Sequence, residues 1–335
     1  MIEDRFITMD YGSGGVKTSD LIEEIFVKAF SNAELNELSD GALLKTDGNA
    51  LAFSTDSFVI NPIEFPGGDI GHLCVCGTAN DVAMCGAKPK WISLAMVIEE
   101  GFEIEKLKRI VSSIKETAYK EGIKIVTGDT KVVEKGKGDG IYINTAGIGE
   151  IECPGLSKKN IEEGDVVIVS GPVGNHGTAV MMARNELGIE ADIRSDCAPL
   201  YSIAKAAWSK GGVRVIRDAT RGGVATTLNE FIEDSDLSIE LNNDDIPVLP
   251  EVKAVCSILG LDPLYCANEG TMLAVVSKDK ADDVLHAMKQ EKGGEFSAII
   301  GSVKKGNPGC LILRNNLGTG RILMKLTGAQ LPRIC

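Results

Sequence analysis

Apolar positions change their period along this chain, and the changes mark its elements. Leu21, Ile22, Ile25, Phe26 and Ala29 fall near a 3.6-residue spacing and predict a helix. Residues 51–60 read as a strand. The almost continuously apolar run 71–85 reads as a helix, and the alternation of Ile92, Leu94, Met96 and Ile98 predicts a strand over 91–98. Ile104, Leu107, Ile110, Val111, Ile114 and Ala118 share one face of a long amphipathic helix, with strands expected at 123–127 and 141–148. Pro154, Gly155 and the polar run 157–164 interrupt the pattern. A buried-strand run resumes at 165–170, and helices, strands and turns then alternate to about Leu326. These periods predict an α+β (mixed α/β) chain with two domains, residues 1–152 and 153–326. The remainder, 327–335, contains Gly328 and Pro332, has no period, and is expected to be a mobile tail.

Composition narrows the function classes. The 335 residues suffice for two cores, and 44% hydrophobic with 25% charged residues is globular. A net charge of -13 leaves no general basic field for nucleic acid or an anionic membrane. No run approaches the ~18 apolar residues of a membrane span, and the start of the chain lacks the basic and apolar regions of a signal peptide, so a cytoplasmic location is expected. An odd count of nine Cys argues against a disulfide framework. Cys74 and Cys76 are too close for the usual zinc spacing, and His72, His176 and His286 do not complete a ligand set along the sequence. Most of these thiols read as small buried hydrophobes. Cys335 differs, being the last residue of the aperiodic tail.

The chemistry lies in carboxylates at the ends of predicted strands. Asp56, Asp129 and Asp218 each sit at or just after a strand, and Asp81 interrupts an otherwise apolar helix. A strand-end Asp is commonly a turn or cap, but a carboxylate in mid-helix has no such role and needs a cation. Several converging carboxylates suit Mg²⁺ shared with a phosphate. A glycine-rich loop, Gly12, Ser13, Gly14 and Gly15, enters the first helix and can present backbone N–H groups to phosphate, although it is neither a P-loop nor a dinucleotide fingerprint.

The runs YGSGG at 11–15, STDSFVI at 54–60, FPGG at 65–68, GTANDVA at 77–83, TGDTKVV at 127–133, ANEG at 267–270 and PRIC at 332–335 resemble, in order, the motifs of the HypE family of hydrogenase-maturation carbamoyl dehydratases. That family sits within the aminoimidazole ribonucleotide synthetase and selenophosphate synthetase superfamily. Tyr11 stands where the family pattern has His. The resemblance implies a two-domain aminoimidazole ribonucleotide synthetase-like fold whose N-terminal sheets pair across a homodimer. It implies ATP at the glycine-rich loop and at Asp56, Asp81 and Asp129, with Mg²⁺ held by these three and by Asp40 and Asp218. It further implies that a carbamoyltransferase, HypF, loads a carbamoyl group onto Cys335. ATP-dependent dehydration would then turn that group into a thiocyanate, with Glu269 or Lys131 as proton acceptor. The cyanide would pass to iron on a HypC–HypD complex, for a [NiFe]-hydrogenase. Rival readings are another ATP-dependent kinase or synthetase of the superfamily, and a passive thiol carrier.

Overall fold

The computed structural model describes residues 15–27, 35–38, 42–44, 50–184, 191–328 and 333–335. A short helix α1 (Val16–Leu21) continues as a π-type turn over Ile22–Val27, where a helix is expected. Strands β1 (Ala42–Leu44) and β2 (Leu51–Phe58) lead through a small ribbon, β3 (Glu64–Phe65) and β4 (Gly68–Asp69), into helix α2 (Ile70–Met84). The first unit is completed by β5 (Ala87–Glu99), α3 (Ile104–Lys120), β6 (Lys124–Val133) and β7 (Ile141–Ile151). Its sheet runs β1-β2-β7-β5-β6, antiparallel except where β5 meets β6.

Helix α2 explains the continuous apolar run of its sequence. Asp69 caps it by accepting from the His72 N–H at 2.8 Å. Thirteen of its fifteen residues are buried, because it lies between its own sheet and the second unit. Its Ala83 and Met84 pack with Leu200, Ile203 and Ile216 beyond the domain junction. A helix covered all round has no polar stripe to show. Helix α3, covered on one side only, keeps Ile110, Ile114 and Ala118 inside while Ile104 and Val111 face solvent, a narrower stripe than the periodicity implies.

The second unit contains β8 (Val166–Val169), α4 (Asn175–Ala183), α5 (Tyr201–Trp208), β9 (Val213–Asp218), α6 (Gly223–Ile232) and β10 (Leu237–Asn242). It continues with α7 (Pro250–Leu259), β11 (Met272–Val276), α8 (Ala281–Gln290), β12 (Ala298–Lys305), β13 (Leu311–Arg314) and β14 (Gly320–Leu323). The seven strands order as β14-β13-β10-β12-β8-β11-β9. All five residues of β11 are fully covered, as befits a strand with layers on both faces. The result is the mixed α/β, two-domain architecture expected from the sequence. Its two sheets meet across α2, and β11 aims the chain before it, 267–271, at that junction.

Candidate active site at the C-terminal cysteine

The last three described residues are docked, where the sequence suggests a free tail. The Val59 N–H donates to the Cys335 carbonyl (3.1 Å) and the Asn61 N–H to the Arg333 carbonyl (3.3 Å), so the chain end lies alongside residues 59–61. The Arg333 side chain turns outward to the Val59 carbonyl (2.9 Å) and to Asp139 (2.5 Å). Arg184 donates to the Arg333 carbonyl (2.8 Å). Ile334 is buried in the N-terminal core beside Val180 and Ala267, and its carbonyl accepts from His176 Nε2 at 2.5 Å. A carbonyl can only accept, so this ring nitrogen carries the proton and Nδ1 receives the Ser195 hydroxyl (2.8 Å). Burial lowers the His176 pKa and keeps it neutral in that role. An apolar residue flanked by polar ones has no periodicity, so this anchor is invisible in the sequence.

The Cys335 thiol stands among charges drawn from three elements. Burial pushes it up to about 12; Arg221 pulls against that shift, and Glu269 and Asp56 add to it. Arg221, not the adjacent Arg333, is therefore the cation that favours a thiolate here. Arg221 follows β9 in a glycine-rich turn, is exposed to solvent, and feels Cys335, Asp56, Glu269 and Asp81 together. The motifs did not single it out. The available signal was a cation three residues after a strand-end Asp.

Glu269 is 3% exposed. Burial above all, then the charges of Asp218, Asp56 and Asp196, raises its pKa well above the ordinary carboxylate value, with Arg221 opposing. Its position is fixed through the backbone. Asp196 accepts from the N–H groups of Glu269 (3.3 Å) and Gly270 (3.0 Å) and from the Thr271 hydroxyl (3.0 Å). A side chain at Gly270 would meet the Asp196 carbonyl at 1.8 Å, so only glycine allows this approach. Asn80 of α2 donates to the carbonyls of Ala198 (3.1 Å) and Glu269 (3.3 Å) and accepts from the Leu200 N–H (2.8 Å). Asn268 accepts from the Gly174 N–H (2.7 Å) and donates to the Ala219 carbonyl (2.9 Å). Asn80 is thus a brace across the domain junction, and Asn268 ties the turns of the second unit to one another.

The predicted acidic residues divide into two groups. Asp56 on β2 and Asp81 on α2 converge: Ser54, two residues from Asp56 and on the same face of the strand, donates to Asp81 at 2.6 Å, and both carboxylates act on Arg221. Burial raises the Asp56 pKa while Arg221 and the Ser57 N–H lower it. Asp218 ends β9, buried, close enough for its charge to act on Glu269. Asp129 is elsewhere. In the ladder Asp56 lies opposite Thr145, Thr145 opposite Leu94, and Leu94 opposite Gly128. Asp129 is therefore on the other face of the sheet and three strand spacings away, roughly 14 Å. It is exposed and bonds to Lys131 at 2.7 Å, which together with the Thr130 N–H lowers its pKa. Within one chain, neither Asp129 nor Lys131 joins the group around Cys335. Gly12, Ser13, Gly14 and Asp40 lie outside the described residues. Gly15 caps α1 against Leu326, whose carbonyl accepts from the Val16 N–H at 2.8 Å.

Residues 38–151 match the model of the AIR synthase related protein N-terminal domain, and residues 162–313 that of its C-terminal domain. The carbamoyl dehydratase HypE of Cupriavidus necator is 45% identical over 98% of this chain and 95% of its own length. The chain belongs to the HypE carbamoyl dehydratase family. A crystal structure of a HypE–HypF complex superimposes with a TM-score of 0.86 at 45% identity, covering 91% of this chain and 99% of that one. The structure of HypE in complex with ATP gives 0.82 at 42% identity, covering 98% and 100%. As a member of this family the chain is an enzyme of hydrogenase maturation, a carbamoyl dehydratase. No helix among the described residues is long and apolar enough to cross a membrane.

Proposed function

We propose that this chain accepts a carbamoyl group on the Cys335 sulfur from HypF and dehydrates it, with ATP, to a thiocyanate. The observation that carries the reading is the docking of the terminal cysteine against Glu269 and Arg221. In the reaction the ATP γ-phosphoryl group is transferred to the carbamoyl oxygen. The C–O bond then breaks with phosphate as leaving group, both N–H protons depart, and a C≡N triple bond remains on sulfur. Glu269, its proton affinity raised above that of an ordinary carboxylate by burial and by neighbouring carboxylates, suits the acceptor of a nitrogen proton. Arg221, cationic and open to solvent, is placed to favour the thiolate for loading and to meet the charge of the transferred phosphoryl group. Asp56 and Asp81 offer hard oxygen ligands from adjacent elements, a donor set that fits Mg²⁺ shared with phosphates; bound there, the ion would spread phosphoryl charge.

The homodimer belongs to this reading. Strand β6 is exposed at nine of its ten positions, with Ile125, Val126 and Val132 open to solvent at the sheet edge. Such an edge calls for a cover, and pairing with the same sheet of a second copy supplies one. Lys131 and Asp129 would then act at the partner's nucleotide. Transfer of cyanide to iron on HypC–HypD needs the tail to undock, which its short, hydrogen-bonded attachment permits. The nine free cysteines suit a reducing cytoplasm.

Intact mass of the protein after incubation with HypF, carbamoyl phosphate and ATP tests the proposal. The expected record is gain of one carbamoyl group, then loss of one water only when ATP is present, with neither change in Cys335→Ala. Labelling of the Cys335→Ala protein, or water loss without ATP, would overturn it.

A further inference from the structure

The buried cluster of His72, Cys76 and Cys197 has no part in the chemistry at Cys335. His72 and Cys76 lie one turn apart on α2, and Cys197 comes from the segment before α5, so no sequence spacing joins the three. Folding brings one ligand atom of each to within 4.8 Å of the others. Cys76 is fully buried, Cys197 is 7% exposed, and His72 is half-buried. We propose that these three side chains form a site for a thiophilic divalent cation of the zinc class, which staples the N-terminal helix α2 to the wall of the active site.

The separation of His72 and Cys76 is that of two ligands on one ion. His72 Nε2 stands 3.6 Å from Cys76 Sγ. Zinc–nitrogen and zinc–sulfur bonds of about 2.0 and 2.3 Å at a tetrahedral angle place their ligand atoms roughly 3.6 Å apart. The second shell is already present. His72 Nδ1 lies 2.9 Å from Thr117 Oγ1, and the Thr117 hydroxyl donates to the Ser113 carbonyl at 2.8 Å. With that hydroxyl proton committed, Nδ1 must be the donor to Thr117, which leaves Nε2 as the nitrogen to bind an ion. Nε2 donates to the Cys197 carbonyl at 3.0 Å, so binding an ion would exchange this hydrogen bond for a metal bond. Each thiol and the ring nitrogen that turns to the ion give up the protons they hold, so two thiolates balance the two positive charges of the ion. Two sulfurs and an imidazole select zinc-class ions over Mg²⁺, which separates this site from the carboxylates around Arg221. Three protein ligands leave one tetrahedral position for water.

The consequence reaches Glu269. Cys197 follows Asp196, whose carboxylate holds the Glu269 and Gly270 N–H groups. It precedes Ala198, whose carbonyl accepts from Asn80 of α2. An ion on Cys197 would thus lock the segment that positions Glu269.

The test titrates the full-length Cys335→Ala protein, metal-free and reduced, with Co²⁺ as probe, so that the terminal thiol contributes nothing. One equivalent should bind with strong near-ultraviolet thiolate-to-cobalt absorption and the intense visible bands of a tetrahedral ion, and Zn²⁺ should displace it. Cys76→Ser and His72→Gln should each weaken binding at least tenfold. Cys256→Ser, which alters the other close thiol pair (3.9 Å from Cys266), should leave it unchanged. His72 is half-exposed, so His72→Gln serves as the variant if Cys76→Ser fails to fold. Absence of thiolate absorption at one equivalent, or absorption that survives His72→Gln unchanged, would overturn the proposal.

Discussion

The wall around Cys335 and the open face of the N-terminal sheet carry the same kinds of residue to opposite ends. Around the thiol, Asp56, Asp81, Asp218 and Glu269 come from three strands or their ends and one helix, largely out of solvent; Asp56, Asp81 and Glu269 share the pull of Arg221, and Asp218 acts on Glu269. Burial there raises the proton affinity of Glu269 and Asp56. On the open face, Asp129 and Lys131 neutralise one another in water, and the pair lowers the Asp129 pKa. An exposed pair of this kind contributes little to stability. The comparison shows that a motif aspartate is not yet a ligand: its place relative to the sheet faces decides what it can do, and a second chain can change that place.

The largest effect expected from this contrast is at Glu269. Glu269→Gln should still take up a carbamoyl group but lose dehydration by on the order of 10²–10⁴, as for removal of a general base. If Lys131 serves the partner's site, mixing Glu269→Gln with Lys131→Ala chains and allowing exchange should restore dehydration, read as loss of one water by intact mass. No recovery from the mixture would mean that both residues act within their own chain.

A smaller effect concerns the docked tail. Because the folded environment holds the Cys335 thiol up to about 12, its docking is fully present below the thiol's ordinary value near 9 and is lost as pH rises toward 12. His176→Ala removes the donor to the Ile334 carbonyl, at a cost of ~1–3 kcal/mol. Alkylation of Cys335 by iodoacetamide at pH 8 should then be roughly ten times faster than in the unaltered chain. An unchanged rate would show that the rest of the tail's contacts suffice to hold it.

The smallest effect is expected on the open face. Asp129→Asn should shift the stability of the folded chain by no more than about 0.5 kcal/mol, measured by urea unfolding, since it touches only Lys131 and its own neighbour. A loss of several times that amount would mean that the residue is buried in the assembled protein, and would favour the dimer reading over an exposed edge.

Much was legible before any coordinates. The alternation at Ile92, Leu94, Met96 and Ile98 and the stripe through Ile110, Ile114 and Ala118 follow from local geometry, because strand and helix periods act on neighbours in sequence. Asp81 was visible as a costly carboxylate in an apolar helix and Asp56 as a strand-end carboxylate, whereas Glu269 stood out only through the resemblance of its motif. The extent of β6 was not, because an edge strand open on both faces shows no alternation. Nor was the cluster of His72, Cys76 and Cys197, since Cys197 is more than a hundred residues from His72 and Cys76 and no spacing rule spans that distance.

By itself, the sequence determined most of the local elements and the family, and it singled out the terminal cysteine as a candidate. Only the tertiary structure decided that Ile334 anchors that cysteine, that Arg221 rather than Arg333 faces it, and that Asp129 stands apart from Asp56. The reason is physical. Helix and strand formation are governed by contacts a few residues apart, whereas the proton affinity of a thiol or a carboxylate is governed by burial and by charges within several ångströms. Those neighbours are assembled from across the whole chain.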